Sequence, residues 1–287
     1  RGHVDGHRRR MSTIHRGVIL LVAGLCLSPS PAGAATTVSL RVWAPGLWTA
    51  PVDAGPGQPM WHLLVDTGTT HTILSEAAAR GAGLAVVPGG RLLTPAGAVE
   101  VGATRVPMLR IGSRTRLDVP VLVGDLSALG RDPRIDGILG MDGLDADRVV
   151  LDLVLSRLTL VDGPGDDVAR RGTVLPARRL GGRVIVDARV DGARRGLVLD
   201  SGAAATVVFE GDGMGAVVDL RTAGGVTGGR ERRSELAVGG LVIGPVRAVR
   251  IRPPAVATGA EGLLPAALFA RIDIDRVAGV VRVQPRR

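Results

Sequence analysis

The sequence predicts an all-β chain built from two related halves, with only a few short helices. Two observations carry this. Gly (42 residues) and Pro (18) punctuate short runs rich in Val, Leu and Ile, the pattern of many strands and many turns. And one unit, in the order strand, turn, strand, acidic turn, strand, occurs twice, a signature that outweighs any single motif.

The first unit opens with residues 47–52, turns through Asp53-Ala54-Gly55, and runs through the apolar stretch 61–65 into Asp66-Thr67-Gly68-Thr69-Thr70; residues 71–74 then form the next strand. A short helix is expected over residues 75–80, with Ser75 as its N-cap. The second unit opens with residues 184–190 and turns at Asp191-Gly192, a strong hairpin signal. It continues through 196–199 into Asp200-Ser201-Gly202-Ala203-Ala204 and the strand 205–208. The halves also end alike. Ile135-Asp136-Gly137-Ile138-Leu139-Gly140 is followed by strands 149–152 and 157–160; Ala260-Glu261-Gly262-Leu263-Leu264-Pro265 is followed by strands 272–275 and 280–283. A second short helix is expected over 265–270, with Pro at an early position. Domain boundaries follow: 35–162 for the first half, 163–182 as a Gly-, Arg- and Asp-rich linker, and 183–287 for the second half.

Hydrophobic residues make up 45% of the chain and aromatics only 2%, so the core must be aliphatic. Lys and Asn are absent and Arg carries all 36 positive charges, for a net charge of +9. The Arg residues are dispersed, with no aromatic interleaving and no nucleic-acid motif, so nucleic acid is not an expected partner. Residues 1–34 read as a signal peptide with upstream leader, in which Met11 is a plausible start. His15-Arg16 supply charge, residues 17–27 form an apolar stretch too short to span a bilayer, and cleavage is expected near Ala34. The only Cys is Cys26, inside that stretch and preceded by Leu25 rather than a small residue. The mature chain is therefore expected to lack thiol chemistry and stable membrane insertion, and to be secreted or periplasmic.

The chemistry lies in the two acidic turns. Two carboxylates brought within about 3 Å cannot both ionise and share a proton. Gly68 and Gly202 let the two backbones approach, and the hydroxyls of Thr67 and Ser201 are placed to bond across from one turn to the other. Thr69 has a hydroxyl to offer its carboxylate and its counterpart Ala203 has none. Other constellations are weaker. His71 beside Asp66 and Ser75 has no nucleophile elbow, and Asp136 and Asp152 have no His or Cys cluster with which to hold a metal. Trp43, Trp48 and Trp61 are expected in the core, with a pocket wall as the minority reading. Gly224-Gly225 and Gly228-Gly229 read as hairpin glycines.

On Asp66-Thr67-Gly68-Thr69, Asp200-Ser201-Gly202-Ala203 and Ile138-Leu139-Gly140, the chain resembles the pepsin and retropepsin clan of aspartic proteases, over roughly residues 47–285. The resemblance implies two β-barrel lobes and a catalytic pair Asp66 and Asp200, one from each lobe. Dyad support would come from Thr67, Gly68, Thr69, Ser201, Gly202 and Ala203. It implies hydrolysis of a peptide or protein substrate by an activated water, with no metal and no cofactor, and with one chain sufficient. Two departures stand out: Pro265 replaces the second half's Gly, and there is no Tyr to sit on a flap. They motivate the alternative of an inactive peptide-binding module on the same scaffold. Residues 92–102 and 222–235 are the flap candidates, and Arg230-Glu231-Arg232-Arg233 in the second is either a solvated hairpin or a preference for acidic substrates.

Overall fold

The computed structural model describes residues 35–130, 135–163, 172–211, 214–254 and 259–286; the leader read from the sequence lies outside them. Most of the described chain is strand, with two short helices, and the two expected halves recur element by element. The strands form an eight-stranded sheet and a thirteen-stranded sheet.

In the first half, Leu47–Asp53 pairs antiparallel with Met60–Val65, which delivers the first acidic turn. Ile73–Ser75 follows, and Ser75 caps the helix Glu76–Gly81 by accepting the Ala78 N–H at 3.1 Å. A long hairpin, Val87–Thr94 with Gly97–Ile111, leads to Arg114–Gly124. The short strand Gly137–Leu139 then threads between Met60–Val65, parallel to it, and Ile73–Ser75, antiparallel to it. Gly137 is required there, because a Cβ would lie 2.3 Å from the Ile73 carbonyl oxygen.

The second half repeats the scheme. Arg183–Val190 pairs with Ala193–Asp200 through a tight turn in which Asp191 and Gly192 both have positive φ, 50° and 83°, the turn that matches strand twist. Thr206–Phe209, the hairpin Ala216–Thr222 with Gly225–Val238, and Leu241–Ile251 follow. Gly262–Pro265 threads between Ala193–Asp200 and Thr206–Phe209.

Between the halves, five further strands continue one sheet: Arg157–Val161, Arg148–Asp152, Phe269–Asp275, Val280–Pro285 and Thr173–Leu180, with Thr36–Ser39 on the outer edge. Here Arg148 makes a bidentate bond to Asp273 (2.7 and 2.5 Å), both side chains buried. Arg271 and Asp152 form a looser pair at 3.8 Å. Losing one partner of the buried Arg148–Asp273 pair strands a charge and costs about 3–5 kcal/mol. The core beneath is aliphatic around Trp61 and Phe269, with Leu63, Leu139, Leu199 and Leu264 fully buried. Each such side chain contributes roughly 1.5–3 kcal/mol.

Three local readings change. The segment read as linker includes the strand Thr173–Leu180, which pairs with Val280–Pro285 on one side and Arg183–Val190 on the other. The helix expected over 265–270 shrinks to the single 3-10 turn Ala266–Leu268, because Pro265 is paired as strand and Phe269 already begins the next one. An unforeseen helical turn, Met141–Leu144, occupies the matching place in the first half.

Candidate active site

Each acidic turn is placed by the strand before it and by the threaded strand beside it. Val65 lies opposite Leu139, and the Asp66 N–H donates to the Leu139 carbonyl at 3.0 Å. In the second half Leu199 lies opposite Leu264 and Asp200 opposite Pro265. The threaded strands are themselves fixed by carboxylates. Asp136 Oδ2 accepts the His62 N–H at 2.8 Å, and Glu261 Oε2 accepts the Gly196 N–H at 2.8 Å. The reciprocal backbone bonds, Asp136 N–H to His62 O and Glu261 N–H to Gly196 O, complete both staples. From the sequence Asp136 reads as an ordinary turn residue. The signal that it positions the site was an acid directly before Gly-apolar-apolar in both halves.

The turns lock together across the halves. The Thr67 hydroxyl donates to the Leu199 carbonyl (2.8 Å) and the Ser201 hydroxyl to the Val65 carbonyl (2.7 Å). Each hydroxyl oxygen also accepts the other turn's backbone N–H: Thr67 N to Ser201 Oγ at 3.0 Å, Ser201 N to Thr67 Oγ1 at 3.1 Å. All four bonds are buried, so each group left without a partner would cost about 1–3 kcal/mol. The glycines finish the lock. A Cβ on Gly68 would lie 2.5 Å from the Asp200 carboxyl carbon, and one on Gly202 would lie 2.6 Å from that of Asp66. Each carboxyl group occupies the space the opposite glycine leaves open.

The Asp66 and Asp200 carboxyl groups thus meet at the junction of the two turns, each packed against the other turn's glycine. Asp66 Oδ1 accepts the N–H groups of Gly68 (2.8 Å) and Thr69 (3.2 Å); Asp200 Oδ1 accepts that of Gly202 (2.7 Å). Burial raises both carboxyls above the ordinary value of 3.8. For Asp66, the bonds from Asp200, Gly68 and Thr69 offset part of that rise. Asp200 is pushed well higher, because the neighbouring Asp66 charge and its hydrogen bond add to burial. Two like charges this close do not both form readily, so the pair holds one proton between its members.

The pair sits at the floor of a cleft of about 420 Å³, the size range of substrate pockets. Both hairpin tips roof it. Leu92, Thr94 and Pro95 line it from the first, Leu220, Thr222 and Ala223 from the second. The tips touch: a Cβ on Gly224 would lie 2.3 Å from the Thr94 hydroxyl oxygen. Arg221 reaches from the second tip to the Ala128 carbonyl of the first half at 3.3 Å. Trp43 lines the cleft, whereas Trp48 and Trp61 lie in the core. His71 is exposed and lies in the loop before its strand. Asp152 accepts the Leu155 N–H in a surface turn. Among the described residues no three His, Cys, Asp or Glu side chains cluster as a metal site, and no helix is long and apolar enough to cross a membrane.

Comparison with known proteins agrees with this geometry. Residues 50–142 match the family model described as aspartyl protease. No curated protein matches. Among solved structures, the aspartic proteinase from Irpex lacteus superposes with a TM-score of 0.54 at 12% identity, covering 88% of this chain and 97% of that one. At that identity the likeness is one of fold. The resemblance to the pepsin- and retropepsin-like aspartic proteases, and the all-β fold it implies, are borne out.

Proposed function

We propose that this chain, with its pepsin-like fold, is an aspartic endopeptidase acting on peptide or protein substrates outside the cytoplasm. The observation that carries the proposal is the convergence of two carboxyl groups from equivalent turns, held by reciprocal hydroxyl and glycine contacts. Asp66, ionised, takes a proton from a water molecule as its oxygen attacks the scissile carbonyl carbon. Asp200, protonated, polarises the carbonyl oxygen, and a dyad proton then passes to the leaving amine as the C–N bond breaks. Thr67, Ser201, Gly68 and Gly202 hold the geometry; the Thr69 N–H helps keep Asp66 charged, and Ala203 leaves its place beside Asp200 without a hydroxyl. Both acids are on one chain, so a monomer suffices.

Pro265 and the absence of Tyr do not argue against activity. Pro265 keeps its register opposite Asp200, and the cleft is roofed by aliphatic tips instead. Asp66→Asn and Asp200→Asn are each expected to lower peptide hydrolysis by about 10²–10⁴-fold. Wild-type-like cleavage by either variant would overturn the mechanism. Binding without cleavage across a broad peptide library would instead favour the inactive peptide-binding module.

A further inference from the structure

The two halves wall the cleft unequally. On the first half's side, Trp43, Leu47, Leu64, Ile73 and Ile138 present only apolar surface. On the second half's side, Val207, Val249 and Leu263 are joined by the pair Glu231 and Arg247, with Arg183, Asp219 and Arg221 also lining the cleft. The strand registers show what the first half has in their place. Ile73 lies beside Leu122 as Val207 lies beside Val249. Leu122 in turn lies opposite Ala103 as Val249 lies opposite Glu231. Ala103 and Pro120 therefore stand where the second half has Glu231 and Arg247.

Strand alternation keeps the charged pair on the cleft face, since Glu231 is directly across from Val249 and Arg247 is two residues before it. The same alternation turns Arg230 and Arg232 the other way. Arg230 donates to the Gly215 carbonyl, and Arg232 pairs with Asp191. Arg233 donates to the Pro245 carbonyl. Of the charged run in this hairpin, only Glu231 lines the cleft.

Arg247 grips Glu231 with two bonds, Nε to Oε1 at 3.1 Å and Nη2 to Oε2 at 2.6 Å. Both carboxylate oxygens are thereby engaged, and the Glu231 side chain is 23% exposed against 68% for Arg247. A guanidinium has five N–H donors, so the outward partner retains donors that the pair does not use. This wall offers a cleft occupant hydrogen-bond donation from a fixed cation, next to an aliphatic surface.

We propose that the second half's wall selects a substrate residue with an aliphatic stem and an acceptor end, Glu or Gln, while the first half's wall takes a large apolar residue. Arg247 is the specificity-determining residue and Glu231 positions it. The proposal rests on the endopeptidase reading and names its substrate class. It is tested with matched peptides that differ only at the residues flanking the scissile bond, bearing Glu, Gln, Leu or Lys. At one flank, kcat/KM is expected to favour Glu and Gln over Lys at least tenfold. Arg247→Ala is expected to lower the Glu-to-Leu ratio about tenfold, with partial recovery in Arg247→Lys. Equal cleavage of Glu and Lys peptides, or a ratio unmoved by Arg247→Ala, would overturn it. A second arm measures calorimetric binding of the same peptides with a reduced, uncleavable bond. If nothing is hydrolysed yet Glu peptides bind at least tenfold tighter than Lys peptides, the endopeptidase reading fails and the selectivity stands. Equal binding removes the selectivity itself.

Discussion

Behind the two acidic turns the halves solve the same problem differently. In the first, buried Thr72 is fully engaged. Its N–H and its hydroxyl both donate to Asp142 Oδ1 at 2.7 Å, and its hydroxyl oxygen accepts the Gly140 N–H at 3.3 Å. In the second, the equivalent Thr206 is equally buried, yet its hydroxyl has no partner among the described residues. The register explains why: Pro265 stands where Gly140 does and has no N–H, and the position of Asp142 is taken by Ala267. One proline and one alanine have dismantled a hydrogen-bond network without moving the carboxyl group in front of it. The bonds that cross between the halves are kept in both copies, as are the two carboxylate staples, while this network behind the turn survives in only one.

That contrast can be broken most forcefully at the glycines. Gly68→Ala and Gly202→Ala should each lower peptide hydrolysis by at least about a hundredfold, because a Cβ collides with the opposing carboxyl group. If only one of them does, the reciprocity is not symmetric. Steady-state kinetics on a folded variant, with far-UV circular dichroism as the folding control, decides it.

The threonines sharpen the comparison at smaller scale. Thr72→Val should destabilise the protein by about 1–3 kcal/mol, since it removes the hydroxyl bond to Asp142, which keeps only the backbone N–H, and leaves the Gly140 N–H without its partner. Thr206→Val removes a hydroxyl that bonds nothing described, and should be neutral or slightly stabilising. Equal losses in urea titrations of the two variants would show that the halves are energetically alike after all.

The smallest effect is on pH. The carboxyl group of Asp200 binds its proton more tightly folded than unfolded. Its contribution to stability is therefore complete below the unfolded value and is lost as pH rises through the folded one. Asp200→Asn, which cannot ionise, should raise Tm at pH 7 by at least about 2 °C and change it less near pH 3. The same two raised acids place the wild-type activity bell above pH 3.8, with the first ionisation of the pair on its acid limb and the second on its alkaline limb. A Tm difference independent of pH, or an optimum below 3.8, would contradict the direction of both shifts.

Much of this was legible because it is local and doubled. The threaded elements Ile138-Leu139-Gly140 and Leu263-Leu264-Pro265 were visible as repeats, and they fall in matching register beside the two aspartates. The hydroxyl lock followed from residue type alone. Thr173–Leu180 was not legible. It carries Pro176 and two adjacent arginines, only Leu175 is buried among its residues, and the partner of its first half, Val280–Pro285, lies some hundred residues away. Glu231 was hidden for a related reason: inside a run of like residues, only the strand's two-residue alternation tells which one faces the cleft.

The outer edge strand Thr36–Ser39 bears on maturation. Thr36 is buried, bonds the Ser113 hydroxyl, and pairs through its strand with Arg157–Val161 in the sheet that joins the halves. Five residues further, Arg41–Ala44 brings Trp43 to the cleft. A processing protease that cut beyond Thr36 would unzip a structural strand, and one that cut beyond Trp43 would remove part of the substrate wall. The stretch from Thr36 onward is thus not an expendable pro-segment.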